Sequence, residues 1–278
     1  MKLPADLQEF VIAHPRLFVL TGAGVSTGSG IPDYRDADGA WKRTPPVTYQ
    51  AFVHEPLTRR RYWARSLVGW RWLSRAHPND AHRALAAHGR RGGIGLLLTQ
   101  NVDGLHQAAG SEAVVDLHGR IDRVRCLSCG HNLRRADFQH ELLQRNPEWA
   151  ALDAGQAPDG DADLDGRDFS AFDVPACAQC GGLLKPDVVF FGENVPRERV
   201  DAAMAALHEA DAMLVVGSSL MVWSGYRFAQ AAARAGKPIA AVNLGRTRAD
   251  ALLALKVAAP CAEALAFLLG SDALAAAD

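Results

Sequence analysis

The sequence predicts an α/β fold: a parallel sheet with helices on both faces, joined by a small metal-binding lobe and a helical insertion. Three observations carry this reading. Short apolar runs alternate with helical patterns, and each run opens into a glycine or polar loop, the signature of a parallel sheet. The first run, Leu17-Phe18-Val19-Leu20, breaks into four glycines at Gly22, Gly24, Gly28 and Gly30. Between Ile121 and Leu184 the pattern lapses, and two Cys-x-x-Cys pairs appear there instead.

Taken in order, Ala5–Ala13 reads as a short helix entering the first strand, and Asp36–Trp41 as a polar loop. Thr58–Ser74 is helical, carrying Tyr62, Trp63, Leu67, Trp70 and Leu73, and stops at the turn signal His77-Pro78-Asn79-Asp80. Asp80 is the expected N-cap of a helix through His88 that Gly89 closes. Leu96–Thr99 is a second buried strand and Val114–Leu117 a third; both run directly into polar residues. An acidic stretch from Asp153 to Asp173 reads as a mobile loop within the cysteine-bearing segment. The strand pattern resumes at Asp187–Phe191, Met213–Val216 and Ile239–Val242, with helices over Arg197–Ala210, Tyr226–Ala235 and Glu263–Leu269. The expected organisation is one catalytic domain over residues 1–278. A Rossmann-like lobe takes residues 1–44, 81–120 and 184–278, the helical insertion 45–80, and the metal-binding lobe 121–183.

Composition narrows the function classes. With 278 residues, 49% of them hydrophobic and 22% charged, the chain suits one large core with an attached lobe. A net charge of −1 argues against nucleic acid or an acidic membrane as partner. No window of 18 apolar residues and no apolar leader is present, so a cytoplasmic protein is expected. Five cysteines in such a chain point to reduced thiols and metal binding. Cys126-x-x-Cys129 and Cys177-x-x-Cys180 each supply two corners of a zinc tetrahedron. Four thiolates close the shell and leave no position for water, so this one zinc ion is expected to be structural.

The glycine loop alone is ambiguous. Gly22 and Gly24 match the first two positions of the dinucleotide fingerprint, but Thr27 stands at the third and Gly28 comes one residue late. Nor does a second strand ending in an acid follow some twenty residues on. The loop is compatible with a nucleotide site and with a plain strand-to-loop turn.

Seven motifs in one order resolve the ambiguity. The stretch from Gly22-Ala23-Gly24-Val25-Ser26 to Ser29-Gly30-Ile31-Pro32-Asp33-Tyr34-Arg35 resembles the cofactor loop of sirtuins. So do Thr99–His106, His118-Gly119, the two cysteine pairs, Lys185–Glu193, Gly217-Ser218-Ser219-Leu220 and Asn243-Leu244-Gly245. Tyr62–Trp70 and Gly217–Phe228 are most similar to the class II branch, which includes the mitochondrial sirtuin four. One departure favours that branch: Ser224 stands where many sirtuins carry a proline.

The resemblance implies an NAD-dependent protein lysine deacylase that moves the acyl group to ADP-ribose and releases nicotinamide. Its partners would be acylated lysines of proteins or peptides, with no nucleic acid and no membrane. His118 would be the general base toward a ribose hydroxyl, a task suited to an imidazole that titrates near neutrality. His106 is read as a structural hydrogen-bonding residue. Asn101 and Asp103 would join His118 in catalysis, Asp103 by accepting from the nicotinamide carboxamide. Gln100 and Asn101 would position ribose and water, and Val102, which follows them, would also contact the cofactor. Gly22, Ala23, Gly24, Asp33, Tyr34, Arg35, Gly217, Ser218 and Ser219 correspond to cofactor contacts. Asn243, Leu244, Gly245 and Cys261 would lie toward the adenosine end. Val188, Val189, Phe190, Phe191 and Gly192 would form the channel for the lysine stem. Tyr62 and Arg65 share a helix face and resemble the pair that grips acidic acyl chains, so acidic or branched acyl groups are expected over acetyl. Protein mono-ADP-ribosyl transfer and a non-catalytic NAD- or ADP-ribose-binding module stay open beside this reading.

Overall fold

A computed structural model describes residues 3–42, 46–152, 154–157, 161–164 and 166–270. Positions 153, 158–160 and 165 of the acidic stretch lie outside the described residues, as do 271–278 of the larger lobe. In chain order the main elements begin with α1 (Leu3–Ala13), β1 (Leu17–Thr21), α2 (Tyr49–His54), α3 (Pro56–Leu73), α4 (Asp80–Arg90) and β2 (Ile94–Thr99). Next come α5 (Leu105–Ala108), β3 (Val114–Asp116), β4 (Gly119–Cys126), β5 (Asn132–Arg134), α6 (Arg135–Arg145), α7 (Pro147–Ala150), β6 (Gly155–Ala157) and β7 (Asp161–Asp163). The chain continues through β8 (Leu184–Val188), α8 (Arg197–Glu209), β9 (Ala212–Val216), α9 (Trp223–Arg234), β10 (Ile239–Val242), β11 (Leu255–Val257) and α10 (Cys261–Leu265).

Six strands form one parallel sheet in the order β11-β10-β9-β1-β2-β3. Strand β1 is buried along its whole length, because helices cover both faces. Its side chains alternate accordingly. Leu17 and Val19 enter one core with Leu7 and Phe10 of α1 and Leu85 of α4; Phe18 and Leu20 enter the other with Leu207 of α8 and Phe228 of α9. The chain steps outward from β1 through β2 and β3, then returns to the opposite side of β1 as β9. Order therefore reverses between β1 and β9, and in parallel sheets a crevice opens at such a reversal beyond the strands' carboxyl ends.

Two local expectations are corrected. The N-cap of α4 is Asn79, whose side chain accepts from the Ala81 and His82 amides while His82 Nδ1 accepts from the Asn79 amide. Asp80 is the first helical residue, and Gly89 stays inside a helix that runs on to Arg90. The strand expected at Asp187–Phe191 ends at Val188 and begins earlier. It joins a separate three-stranded sheet, antiparallel to β4, rather than the large one.

The helical insertion and the cysteine-bearing lobe share a core. Phe52 of α2 and Trp63, Leu67 and Val68 of α3 pack with Val124, Phe138, Leu142, Trp149, Phe172 and Leu184. Arg135 is fully buried at this junction. Its guanidinium donates to Ser66 O, Ser66 Oγ and Gln139 Oε1, and lies over the rings of Trp63 and Trp70. Hydrogen bonds and aromatic faces hold this cation where no carboxylate is among its described partners.

The turn after β9 is tightly packed against the glycine loop. Gly217 has φ +61, and a Cβ there would lie 2.3 Å from Val25 N and 2.6 Å from Gly24 C. Gly217→Ala is expected to cost about 2 kcal/mol or more, as backbone strain adds to a backbone clash. Thermal and urea unfolding of the variant beside the parent would measure this.

Candidate active site

The carboxyl ends of β1, β2 and β9 meet at the reversal point. The Gly22 amide donates to Val216 O (3.1 Å) and the Gly24 amide to Gly217 O (2.8 Å), so the two glycine turns lie backbone against backbone. Side chains could not fit between them: a Cβ at Gly22 would lie 2.8 Å from Ser218 Cβ, and one at Gly24 2.9 Å from Gly217 O. Ala23 sits in the short turn between. Cys261, the residue starting α10, lies 3.8 Å from Gly24 O, and burial pushes its thiol up to about 11. It is a neutral packing contact beneath the loop.

The loop after β2 supplies the polar groups. Asn101 is buried, and its Nδ2 donates to Gly22 O (3.1 Å) and to Ser26 Oγ (2.9 Å). Ser26 Oγ in turn donates to Asp103 Oδ2 (2.7 Å), while Asp103 Oδ1 accepts the Leu105 amide (2.9 Å). Gln100 Nε2 donates to Ser218 Oγ (2.6 Å), which ties the β2 loop to the β9 loop. Val102 points the other way, into an apolar cluster with Ile31, Leu73, Leu105 and Ile121. Gln100, Asn101, Asp103, Ser218 and the Gly22–Gly24 backbone thus form one hydrogen-bonded unit.

His118 follows β3. Its Nδ1 is 2.9 Å from Gln100 O and its Nε2 2.8 Å from Ser224 Oγ. Burial lowers its pKa to about 4; the bond to Gln100 opposes this, and the Arg199 and Arg227 cations add to it. The imidazole is therefore neutral at pH 7, the form a general base requires.

Beneath these groups lie polar residues that the sequence reading did not assign to the site. His82 Nε2 is 3.5 Å from Ser26 Oγ, and its ring centroid is 4.7 Å from that of His106. His106 Nε2 bonds Thr21 Oγ1 (2.9 Å), and Thr21 donates to Thr99 Oγ1 (2.9 Å), which also accepts the Asn101 amide (3.1 Å). Burial holds His82 down to about 4, against a raising effect of Asp103, and holds His106 well below its usual value. His106 is the structural hydrogen-bonding residue the sequence suggested. Ser26 was visible within the glycine motif. The available signal for His82 was its place three residues after a capping asparagine.

The remaining assigned residues fall into outlying groups. Asp33 pairs with Lys42; Arg35 donates to Gly39 O (2.7 Å), and its guanidinium lies 3.8 Å from the centre of the Trp41 ring. Tyr34 and Phe191 each meet Trp41 edge-on, which couples this loop to the 188–192 segment. Asn243 donates to Gly245 O, and Leu244 is exposed. A Cβ at Gly245 would lie 2.5 Å from Ala37 O, so this turn touches the same loop. Ser219 O accepts the Arg248 amide (2.8 Å). The Val189 amide donates to His118 O (2.8 Å), so the segment from Val188 to Gly192 starts beside the imidazole. Lys185 and Glu193 brace that segment: they form an ion pair (3.1 Å), and Glu193 also accepts the Phe190 amide. Gly192 turns at φ +78, with its carbonyl bonded by Gln50. Tyr62 packs on Phe190 with ring centroids 5.1 Å apart, and Arg65 forms an ion pair with Asp161 (3.0 Å).

Comparison with known proteins identifies the family. The sequence profile of the Sir2 family matches residues 22–224. The chain belongs to that family, the sirtuins. Relatives extend over nearly the whole length. An NAD-dependent protein deacetylase 2 of Bradyrhizobium diazoefficiens is 66% identical over 95% of this chain and 97% of its own. An NAD-dependent protein deacetylase of Xanthomonas campestris is 68% identical over 94% and 89%. Among solved structures, a Sir2 enzyme superposes with a TM-score of 0.76 at 31% identity, covering 97% of both chains. A Sir2 complex with a p53 peptide and NAD+ superposes with a TM-score of 0.73 at 28% identity, over 97% and 98%.

In this sirtuin the four paired cysteines also converge. The Sγ atoms of Cys126, Cys129, Cys177 and Cys180 lie within 4.8 Å of one another. Cys126 to Cys180 is 3.5 Å and Cys129 to Cys177 is 3.8 Å. Four thiolates around one zinc at about 2.3 Å would stand roughly 3.8 Å apart, so the donor set fits that ion. The Ser128 amide points at Cys126 Sγ, as a stabiliser of thiolate charge would. Among the described residues no helix is long and apolar enough to cross a membrane.

Two outcomes are expected. Purified protein carries one zinc per chain by elemental analysis, and Cys177→Ser both abolishes it and lowers the melting temperature. The buried histidines also make stability fall with pH. The unfolded chain binds protons below about 6.5, while folded His82 and His118 refuse them until about 4. Stability should thus be full above pH 7 and fall by about 2 kcal/mol per such group by pH 4.5. His82→Gln should flatten that slope in urea unfolding followed across pH.

Proposed function

We propose that this sirtuin is an NAD-dependent protein lysine deacylase, with acetyl-lysine among its substrates. The observation that carries the reading is His118. It stands neutral at the end of the sheet, its Nδ1 committed to Gln100 O and the lone pair of Nε2 directed at Ser224 Oγ, beside the Asn101–Ser26–Asp103 unit. Close relatives bearing the name of NAD-dependent protein deacetylase, and a Sir2 structure holding peptide and NAD+, support it.

The site suits NAD because two glycine turns expose backbone at a strand reversal, with serine and amide side chains at hand for ribose and phosphate. When bound, NAD supplies the ribose carbon that receives the acyl oxygen as nicotinamide departs. The residues of this chain do the rest. Asn101 and Asp103 are held rigid by Ser26, so their free hydrogen-bonding positions are set before ligand arrives. Asp103 is assigned to the nicotinamide carboxamide, Gln100 and Ser218 to the ribose side, and Asn243 to Gly245, with Cys261 beneath, to the adenosine end. Asp33, Tyr34 and Arg35 wall the nicotinamide ribose. His118 is the base whose Nε2 gains a proton as a ribose hydroxyl loses one, and the backbone from Val188 to Gly192 pairs with an extended peptide whose lysine stem runs over Phe190. The zinc supplies cross-linking of the smaller lobe and no chemistry.

The acyl preference is a finer part of the same proposal. Tyr62 lies against Phe190, at the far end of that stem, and Arg65 follows one helical turn later. Arg65 already holds an internal carboxylate, Asp161, at 3.0 Å. An acidic or branched acyl chain would be accepted by exchange with Asp161. The class II assignment belongs to this proposal too and rests on Tyr62–Trp70 and Gly217–Phe228. A cytoplasmic location fits the absence of a membrane-spanning helix among the described residues.

Mass spectrometry of acyl-lysine peptides incubated with NAD tests these statements. The parent should release nicotinamide and lose the acyl group in step, and His118→Ala should fall by about 100-fold or more. Nicotinamide release without acyl loss would point to ADP-ribosyl transfer instead. In a panel of acetyl-, succinyl- and hydroxymethylglutaryl-lysine peptides, Asp161→Asn should raise turnover of the two acidic forms relative to acetyl. Acetyl turned over fastest by both proteins would exclude the acidic preference.

A further inference from the structure

Both ring nitrogens of His118 are accounted for. Nδ1 lies 2.9 Å from Gln100 O, and a carbonyl oxygen can only accept, so Nδ1 carries the hydrogen. Nε2 is then the one lone pair of the neutral ring. Ser224 Oγ stands on that lone pair at 2.8 Å, and because Nε2 has no hydrogen to give, the hydroxyl must donate. Ser224 is only 8% exposed and has no other hydrogen-bond partner among the described residues. It is not a loosely placed surface hydroxyl.

The surroundings keep it there. Ser224 is the second residue of α9, whose first turn closes when the Gly225 and Tyr226 amides donate to Val222 O. That turn presses on Gln100: a Cβ at Gly225 would lie 2.4 Å from Gln100 Oε1. Gln100 is therefore gripped at its side chain by α9 and Ser218 while its carbonyl orients His118. The start of α9, the β2 loop and the imidazole form one rigid triangle. A substrate hydroxyl reaching for Nε2 meets Ser224 Oγ first.

We propose that Ser224 relays the proton between the ribose hydroxyl and His118. This rests on the reading of His118 as the base. The ribose O–H bond breaks and its proton passes to Ser224 Oγ, while the Ser224 O–H bond breaks and its proton passes to Nε2. The ribose oxygen keeps the electron pair of its broken O–H bond and becomes the nucleophile. Serine ends neutral with one hydrogen, the positive charge resides on the imidazole, and Nδ1–H stays on the Gln100 carbonyl. The Arg199 and Arg227 cations disfavour the ring's charged form, which favours return of the proton.

A direct transfer would require Ser224 to be displaced, and the two routes give opposite results for Ser224→Ala. The relay predicts a kcat lower by about 10-fold or more with the KM for NAD within about 2-fold, and recovery in Ser224→Thr, which keeps the hydroxyl. Direct transfer predicts an unchanged or higher kcat, because a competitor for Nε2 has been removed; that result would overturn the relay. A second measurement needs no turnover. In nitrogen-15 spectra of the free protein with labelled histidine, the His118 Nε2 resonance should be that of a hydrogen-bonded acceptor and should move in Ser224→Ala. An unmoved resonance would overturn the relay while leaving the deacylase reading intact. A parent that neither releases nicotinamide nor loses the acyl group would overturn both.

Discussion

The structure depends on how closely two glycine turns approach. Gly22 to Gly24 and Val216 to Gly217 sit in van der Waals contact, bridged by two backbone hydrogen bonds. No residue with a Cβ fits at Gly24 or Gly217 without moving backbone. This contact aligns the ends of β1 and β9 and sets the floor of the crevice. It also brings the β2 loop within reach, since Asn101 bonds Gly22 O and Gln100 bonds Ser218. Every polar group assigned to chemistry is oriented, directly or at one remove, by that junction.

The second constraint is electrostatic. His82, His106 and His118 are all buried enough to stay neutral near pH 7, and each is placed by a short list of neutral partners. Neutral imidazoles can pack with ring centroids 4.7 Å apart, as His82 and His106 do at a tilt of 59°, where two charged rings would repel. The network ties Thr21, Thr99, Ser26 and Asp103 into the sheet ends, with the Asp103 carboxylate held by hydroxyl and amide donors. The acidity of the site is thus governed by burial more than by ion pairing.

The smaller lobe makes a different bargain with solvent. Its core is aromatic and shared between the helical insertion and the cysteine-bearing segment, with a buried arginine at the seam. Phe190 belongs to that core, and the Val189 amide beside it bonds His118 O. The segment from Val188 to Gly192 therefore spans both lobes, and Lys185 with Glu193 fixes its turn. A metal in the four-cysteine cluster would stiffen this lobe at the end away from His118, where Cys126 terminates β4.

The sequence by itself determined the elements with strong local signals. The buried strands at Leu17, Leu96, Met213 and Ile239 are continuous apolar runs, and a parallel sheet covered on both faces requires just that. The cysteine spacing, the glycine loop and the loop after β2 were legible because metal ligation and close backbone approach restrict residue type at fixed offsets. The tertiary structure decided what local pattern does not encode. Strand order, and with it the reversal between β1 and β9, follows from long-range packing, and so does the transfer of Leu184–Val188 to the small antiparallel sheet. Asn79 took the cap from Asp80 because its amide also reaches Val25 O and Ser29 Oγ, contacts across 54 and 50 residues. Arg65 found Asp161, and Ser224 found Nε2 of His118, for the same reason: which polar groups face each other across a fold depends on how the surfaces dock, and one chain's local periodicity carries no record of that.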